Sequence, residues 1–206
     1  MEIINYDNSF NKNKIVDETF EICMNANFPV TKDDVYNHLF GSDSILKLLV
    51  INGNLKGFGV FNNYELTIKD KIITMLYLSG MVIDKYYQGS NLSREIIKST
   101  YKEIKSDLIS LRTQNIAMAK SFISSIPNEI LIPGNNELIN DIRCVNPFKN
   151  INEKGIISNC YENQLYYDLS AINNYFNVLL NNCDALGIVI KPKVRRKIYE
   201  DNDNRY

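Results

Sequence analysis

The chain has no tryptophan, one histidine and four cysteines in 206 residues. The cysteines, Cys23, Cys144, Cys160 and Cys183, stand far apart. Without a CxxC pair or a histidine nearby they argue against a metal site and for reduced thiols. His38 falls at the end of a short predicted helix with no Cys or Ser motif to partner it, so a surface or capping role is expected and no triad follows. No run approaches the about 18 uninterrupted apolar residues of a membrane span, and the opening MEIINYDNSF has neither the basic nor the apolar part of a secretory signal. A cytoplasmic protein is the expectation. Charge is close to balanced, 23 Lys and Arg against 24 Asp and Glu, which leaves no electrostatic footprint for nucleic acid or an anionic membrane. The one basic run, Lys191 to Lys197, leads directly into acidic residues and reads as a solvated tail.

What is present is a 45% hydrophobic chain, enough for one substantial core. The sequence predicts a single domain over 1–206, with a C-terminal extension from about 170 and a disordered tail over 198–206. Apolar positions at helical spacing predict a helix from Lys14 to Phe28. Thr31 with Asp34 three residues on resembles a capping box and starts a short second helix. Ile45 to Ile51 and Lys56 to Phe61, joined by Asn52-Gly53-Asn54, read as a hairpin, and the polar segment Asn62 to Asp70 as a further turn region. Lys71 to Ile83 is a long apolar strand interrupted by Ser79-Gly80, which suggests a bulge or a close backbone approach. A helical period follows from Leu92. Leu108 to Arg112 predicts a strand, Asn115 to Ile126 a helix, and this order predicts an α/β core with parallel pairing. Pro127 to Cys160 is broken by loop signals around a short strand at Ile142 to Val145. Gln164 to Leu169 alternates like a strand, Ser170 is placed to cap a last helix with Ile172, Tyr175, Phe176, Leu179, Leu180 and Cys183 on its buried side, and Gly187 to Lys191 forms a final strand.

A strand delivered through a turn of small residues straight into a helix is an anion site. The free N–H groups of the first helical turn and the positive end of the helix dipole share one focus. Here the strand is Lys71 to Ile83, the turn Gln88-Gly89-Ser90-Asn91, and the helix begins at about Asn91. There is no GxxxxGK[ST] and no GxGxxG, so neither a nucleoside triphosphate nor a dinucleotide is indicated.

The segment Ile83-Asp84-Lys85-Tyr86-Tyr87 followed by Gln88-Gly89-Ser90-Asn91-Leu92-Ser93 resembles motif A of the GNAT superfamily of acyl-CoA-dependent N-acetyltransferases. In that motif, V-x-P-x-Y precedes (R/Q)-x-x-G-x-(G/A). Asn91 and Ser93 depart from its small residues; Asn tolerates positive φ, and Ser stays small. The resemblance implies a mixed central sheet with a bulged, splayed central strand flanked by helices. It also implies acetyl-CoA or CoA as co-substrate, with Gln88, Gly89, Ser90, Asn91, Leu92 and Ser93 around the pyrophosphate and the backbones of Met81 and Ile83 along the pantetheine arm. The Met81 N–H would polarise the thioester carbonyl. Asn115 stands where the family's pantetheine-binding Asn is expected. Seven residues on, the family's acid Tyr is Phe122, at a cofactor-lining position. Water, another group or Ser121 could protonate the thiolate instead, or the protein binds acyl-CoA without turning it over. For the base that takes a proton from the attacking amine, Glu65 and Asp84 are the acidic residues nearest the implied site, while Tyr161, Tyr166 and Tyr167 sit where late strands line the acceptor pocket. The implied partners are acyl-CoA and an amine, with a homodimer as the assembly the resemblance admits. A protein without a CoA site is the remaining alternative.

Overall fold

The computed structural model describes residues 1–7, 9–41, 44–161 and 168–193. The expected tail at 198–206, most of the strand placed at Gln164 to Leu169, and Tyr166 and Tyr167 lie outside the described residues. Along the described chain the elements are β1 (Glu2–Asn5), α1 (Lys12–Asn25), α2 (Lys32–Leu39), β2 (Ser44–Ile51), β3 (Asn54–Ile68) and β4 (Lys71–Ile83). They continue with α3 (Leu92–Ile104), β5 (Leu108–Thr113), α4 (Ile116–Ile123), β6 (Asn128–Ile132), α5 (Asn136–Ile142), β7 (Ile156–Ile157), α6 (Leu169–Phe176) and β8 (Ala185–Pro192). No helix among the described residues is long and apolar enough to cross a membrane.

The strands form one mixed sheet in the order β1-β2-β3-β4-β5-β8-β6, with β7 added to β8. Among the described residues only β4 and β5 run parallel, joined by the crossover helix α3. The capping box forms as the sequence implies: Thr31 Oγ1 accepts from the Asp34 N–H at 3.1 Å, and Asp34 Oδ2 accepts from the Thr31 N–H at 2.9 Å. Asn52 and Gly53 both take positive φ, 51° and 76°, the geometry that a two-residue hairpin turn requires.

Three expectations need correction. Asn62 to Asp70 is not a turn region, because β3 continues to Ile68 opposite β4 and only Lys69-Asp70 turns. Its polar residues stand on the open side of an alternating strand, while Leu66 on the other side is buried. Ile142 ends a helix instead of opening a strand; Leu138, Ile139 and Ile142 share its buried side, and Asn135 Oδ1 accepts from Leu138 N–H as its cap. The last helix is capped by Asp168, not Ser170, and stops at Asn177 in a left-handed conformation. Of the residues expected on its buried side, Tyr175 within the helix and Leu179 beyond it are exposed, whereas Ile172 and Leu180 are buried.

Hydrophobic packing divides by strand parity. Leu76 and Leu78 of β4, with Ile109 and Leu111 of β5, pack under α3 and α4, while Met75 and Tyr77 face the opposite side with α5. That second side also carries α1 and α2, packed on Leu46, Leu48, Phe58 and Val60.

Candidate functional site

The site originates in one extra residue. Val60 pairs with Gly80 and Phe61 with Leu78, so Ser79 is the bulged residue of β4, within the expected Ser79-Gly80 interruption. Side chains alternate along a strand, so an inserted residue exchanges the faces beyond it. Before the bulge even-numbered residues point to α3; after it Ile83 does, and Met81 packs on that same side. Gly80 is thereby turned toward α2, where a Cβ on it would lie 2.2 Å from His38 Nε2. The parallel ladder between β4 and β5 ends at Leu78 and Leu111, where the bulge at Ser79 begins, while β5 runs on to Thr113 with β8 along its other edge. Beyond that point β4 has β3 on one side and an opening on the other.

Two cavities meet at this opening. One, of about 410 Å³, runs from Met81 and Ile83 past Gln88, Gly89 and Asn91 to Leu92, Ser93 and Arg94, and is closed by Asn115, Lys120 and Ser121 of the α4 region. The other, of about 340 Å³, lies on the α1 and α2 side between Phe28, Val35, His38 and Leu39, the bulge, and the end of β5 with Arg112 and Tyr161. Phe28, Met81, Val82, Asn115 and Met118 border both.

The first cavity is lined by backbone donors. Gly89 and Asn91 hold positive φ of 79° and 62°, and nothing approaches within 4 Å of where a Gly89 side chain would begin. Asn91 is the N-cap of α3, yet its side chain caps nothing. Among the described residues, the N–H groups of Leu92, Ser93 and Arg94 donate to no protein acceptor. The Nε of Arg94 is also buried without a partner. A helix of 13 residues thus presents its dipole, its unpaired amides and an arginine to one cleft. Asn115 Oδ1 caps α4, accepting from Ala117 N–H at 2.8 Å and Met118 N–H at 3.2 Å; its side-chain NH2 has no acceptor among the described residues.

Of the residues named from sequence, the first cavity gathers Met81, Ile83, Gln88, Gly89, Asn91, Leu92, Ser93, Asn115 and Ser121. The others are placed elsewhere. The Ser90 hydroxyl donates back to the Tyr87 carbonyl. Phe122 is fully buried in the core and touches no cleft. Asp84 is buried beneath the loop, accepts from the Tyr86 N–H at 3.1 Å and pairs with Lys56 at 3.4 Å, a bracket for the turn. Glu65 is exposed on the far arm of β3, opposite Thr74, and lines neither cavity.

His38 is at the surface as expected, with surroundings that the sequence did not indicate. By surface area it is exposed, yet protein atoms crowd its ring and, together with the charge of Arg112, lower its pKa. A side chain lining an open cleft satisfies both descriptions. Arg112 was not singled out from sequence at all. Its charge also reaches Tyr77 and Cys160, pulling against the burial that pushes the Tyr77 hydroxyl up to about 12 and the Cys160 thiol up to about 11. Lys120 of the first cavity was likewise missed, and Arg94 was expected to face water. Arg94, at the third position of a helix already read as an anion site, could have been found.

No protein-family model matches the sequence, and no curated protein is significantly similar to it. Solved structures are similar in shape. An aminoglycoside 6'-acetyltransferase type Ii superposes with a TM-score of 0.56 at 12% identity, covering 95% of this chain and 99% of its own. A Bacillus subtilis acetyltransferase in complex with CoA superposes with a TM-score of 0.55 at 10% identity, covering 93% and 99%. With its mixed sheet, the bulge in β4 and the parting of β4 from β5, this chain has the fold of the GNAT acetyltransferases.

Proposed function

We propose that the protein transfers an acyl group from acyl-coenzyme A to an amine, the cleft between β4 and α4 holding the coenzyme A portion. The observation that carries this reading is the convergence of the unpaired α3 amides, the buried Arg94 Nε and the left-handed Asn91 on one opening that leads to the β4 bulge. A diphosphate is the ligand whose charge and reach suit that end. The half-open edge of β4 suits an amide-bearing arm, and the Asn115 NH2 is placed to meet it. In this reading the Met81 N–H polarises the thioester carbonyl at the junction of the two cavities, where the amine enters from the α2 side.

Binding is tested first. CoA at 100 times its Kd should stabilise the folded protein by about 2.7 kcal/mol, and an unchanged thermal midpoint with both CoA and acetyl-CoA would end the proposal. Thiol release from acetyl-CoA across an amine panel then tests transfer. Because Phe122 is a wholly buried core residue where the family places its acid Tyr, a second reading is acyl-CoA binding without turnover. A CoA shift accompanied by no amine-dependent thiol release would favour it.

A further inference from the structure

The cavity beside α2 presents an arginine without an ion-pair partner among the described residues, an unusual group for a site that receives amines. Arg112 lies on the same face of the sheet as α2, since Ile109 and Leu111 of β5 point the other way. It is half-buried, lines the cavity, and among the described residues forms no ion pair; its guanidinium carbon lies 5.7 Å from the centre of the Tyr161 ring. A guanidinium held at a cavity wall with no ion-pair partner among the described residues offers a planar fork of donors that a carboxylate matches. Opposite stands His38, seated against the bare backbone of Gly80, one residue from the Met81 N–H.

We propose that the acceptor is an amine carrying its own carboxylate, with Arg112 holding the carboxylate and His38 taking the proton that the amine gives up. This rests on the acyl-CoA reading of the adjoining cleft. The amine nitrogen attacks the thioester carbonyl carbon, the C–N bond forms as the C–S bond breaks, the nitrogen's proton passes to His38 and on to solvent, and the thiolate takes a proton from water.

The other ionisable groups around His38 agree with these roles. Its own helix contributes Asp34, whose carboxylate is engaged by the N–H and hydroxyl of Thr31 at 2.9 and 2.6 Å. From α1 comes Cys23, which burial pushes up to about 11 and so keeps neutral. β5 contributes Arg112 and the segment after β7 contributes Tyr161, while the β4 stretch from Leu78 to Val82 has no ionisable side chain. The charges of Asp34 and Arg112 offset in sum, but the Asp34 carboxylate is already engaged by Thr31 whereas the Arg112 fork has no ion-pair partner among the described residues. That unpaired guanidinium favours an anionic substituent over the polycationic aminoglycosides named for one structural neighbour, and burial, with the charge of Arg112, keeps His38 unprotonated at neutral pH.

The test uses the full chain with acetyl-CoA, thiol release as readout, and glycine, β-alanine and γ-aminobutyrate against their amides and an aminoglycoside. The acids should be acetylated, with chain length reporting the spacing between His38 and Arg112, and the amides should show higher KM. Arg112→Gln should raise KM for the acids about 10- to 150-fold and erase their advantage over the amides; should it fail to fold, Arg112→Lys keeps the charge without the fork and should show the same KM effect more weakly. His38→Gln should lower kcat about 10²- to 10⁴-fold and remove the acid limb of the kcat profile. Both variants should keep the thermal shift with CoA. Amides or aminoglycoside used as well as the acids, or an Arg112→Gln protein with unchanged KM, overturn the acceptor assignment while the CoA shift preserves the cleft. Absence of that shift in the unmodified protein removes both.

Discussion

The two cavities that meet at the β4 bulge are built from different materials. The one beneath α3 comes largely from a short contiguous segment, Met81 to Arg94, and its chemistry is mostly backbone: unpaired amides, two left-handed residues and a helix dipole. The one beside α2 is assembled from α1, α2, β4, the end of β5 and Tyr161, and its chemistry is carried by side chains. A backbone site tolerates drift in the residues that form it, so Asn91 and Ser93 replace smaller residues and the geometry persists. A side-chain site is tied to identity at each position, and a single change there alters what can bind.

The largest effect expected from testing this contrast comes from Gly80→Ala. The added carbon would stand 2.2 Å from the His38 ring, so the imidazole must leave its seat. kcat should fall as in His38→Gln, about 10²- to 10⁴-fold, and the double variant should be no worse than either single one, because both changes remove the same contact. Additive losses would show that His38 and Gly80 act separately.

Next in size is Phe122→Tyr. The side chain is fully buried, so its new hydroxyl would have to find an acceptor in the core; denaturant unfolding should show a loss of about 1–3 kcal/mol with no gain in kcat. A rise in kcat would mean that the helix turns this position toward the thiolate after all. On the backbone side, Asn91→Val forces a β-branched residue into φ of 62° and should cost about 1–2 kcal/mol with weaker CoA binding. Asn91→Gly should preserve that binding. Equal CoA affinity in both would break the link between the left-handed cap and the anion site.

The smallest effect is on stability against pH. The folded protein lowers the His38 pKa from 6.5, so above 6.5 the ring is neutral in both states and the shift contributes nothing. As pH falls through 6.5 the unfolded chain binds its proton first, and the folded state loses stability until its own lower pKa is passed. His38→Gln should flatten that part of the melting curve; an unchanged slope would show that the ring is not desolvated.

Much of the fold was legible because it follows from local rules. Alternation and apolar runs marked β2, β4 and β5, the Thr31 and Asp34 pair marked α2, and Asn52-Gly53 marked the hairpin. Where a rule was local but ambiguous, tertiary packing decided. Asn62 to Asp70 looked like a turn because half of a strand's residues face outward, and Ile142 looked like strand because a short helix and a short strand carry similar apolar runs.

What the sequence determined by itself is the strand, loop and helix from Lys71 to Ile104, including the interruption at Ser79-Gly80, because amide geometry and turn chemistry depend on neighbours in the chain. What only the tertiary structure decided is the company of His38. Forty-two positions separate His38 from Gly80, and Arg112 lies further still along the chain; the bulge turns one toward it, and the parting of β5 from β4 opens the cavity that the other lines. No spacing in the sequence encodes that meeting, since it arises from a one-residue change of face in a strand and from the point at which two parallel strands part.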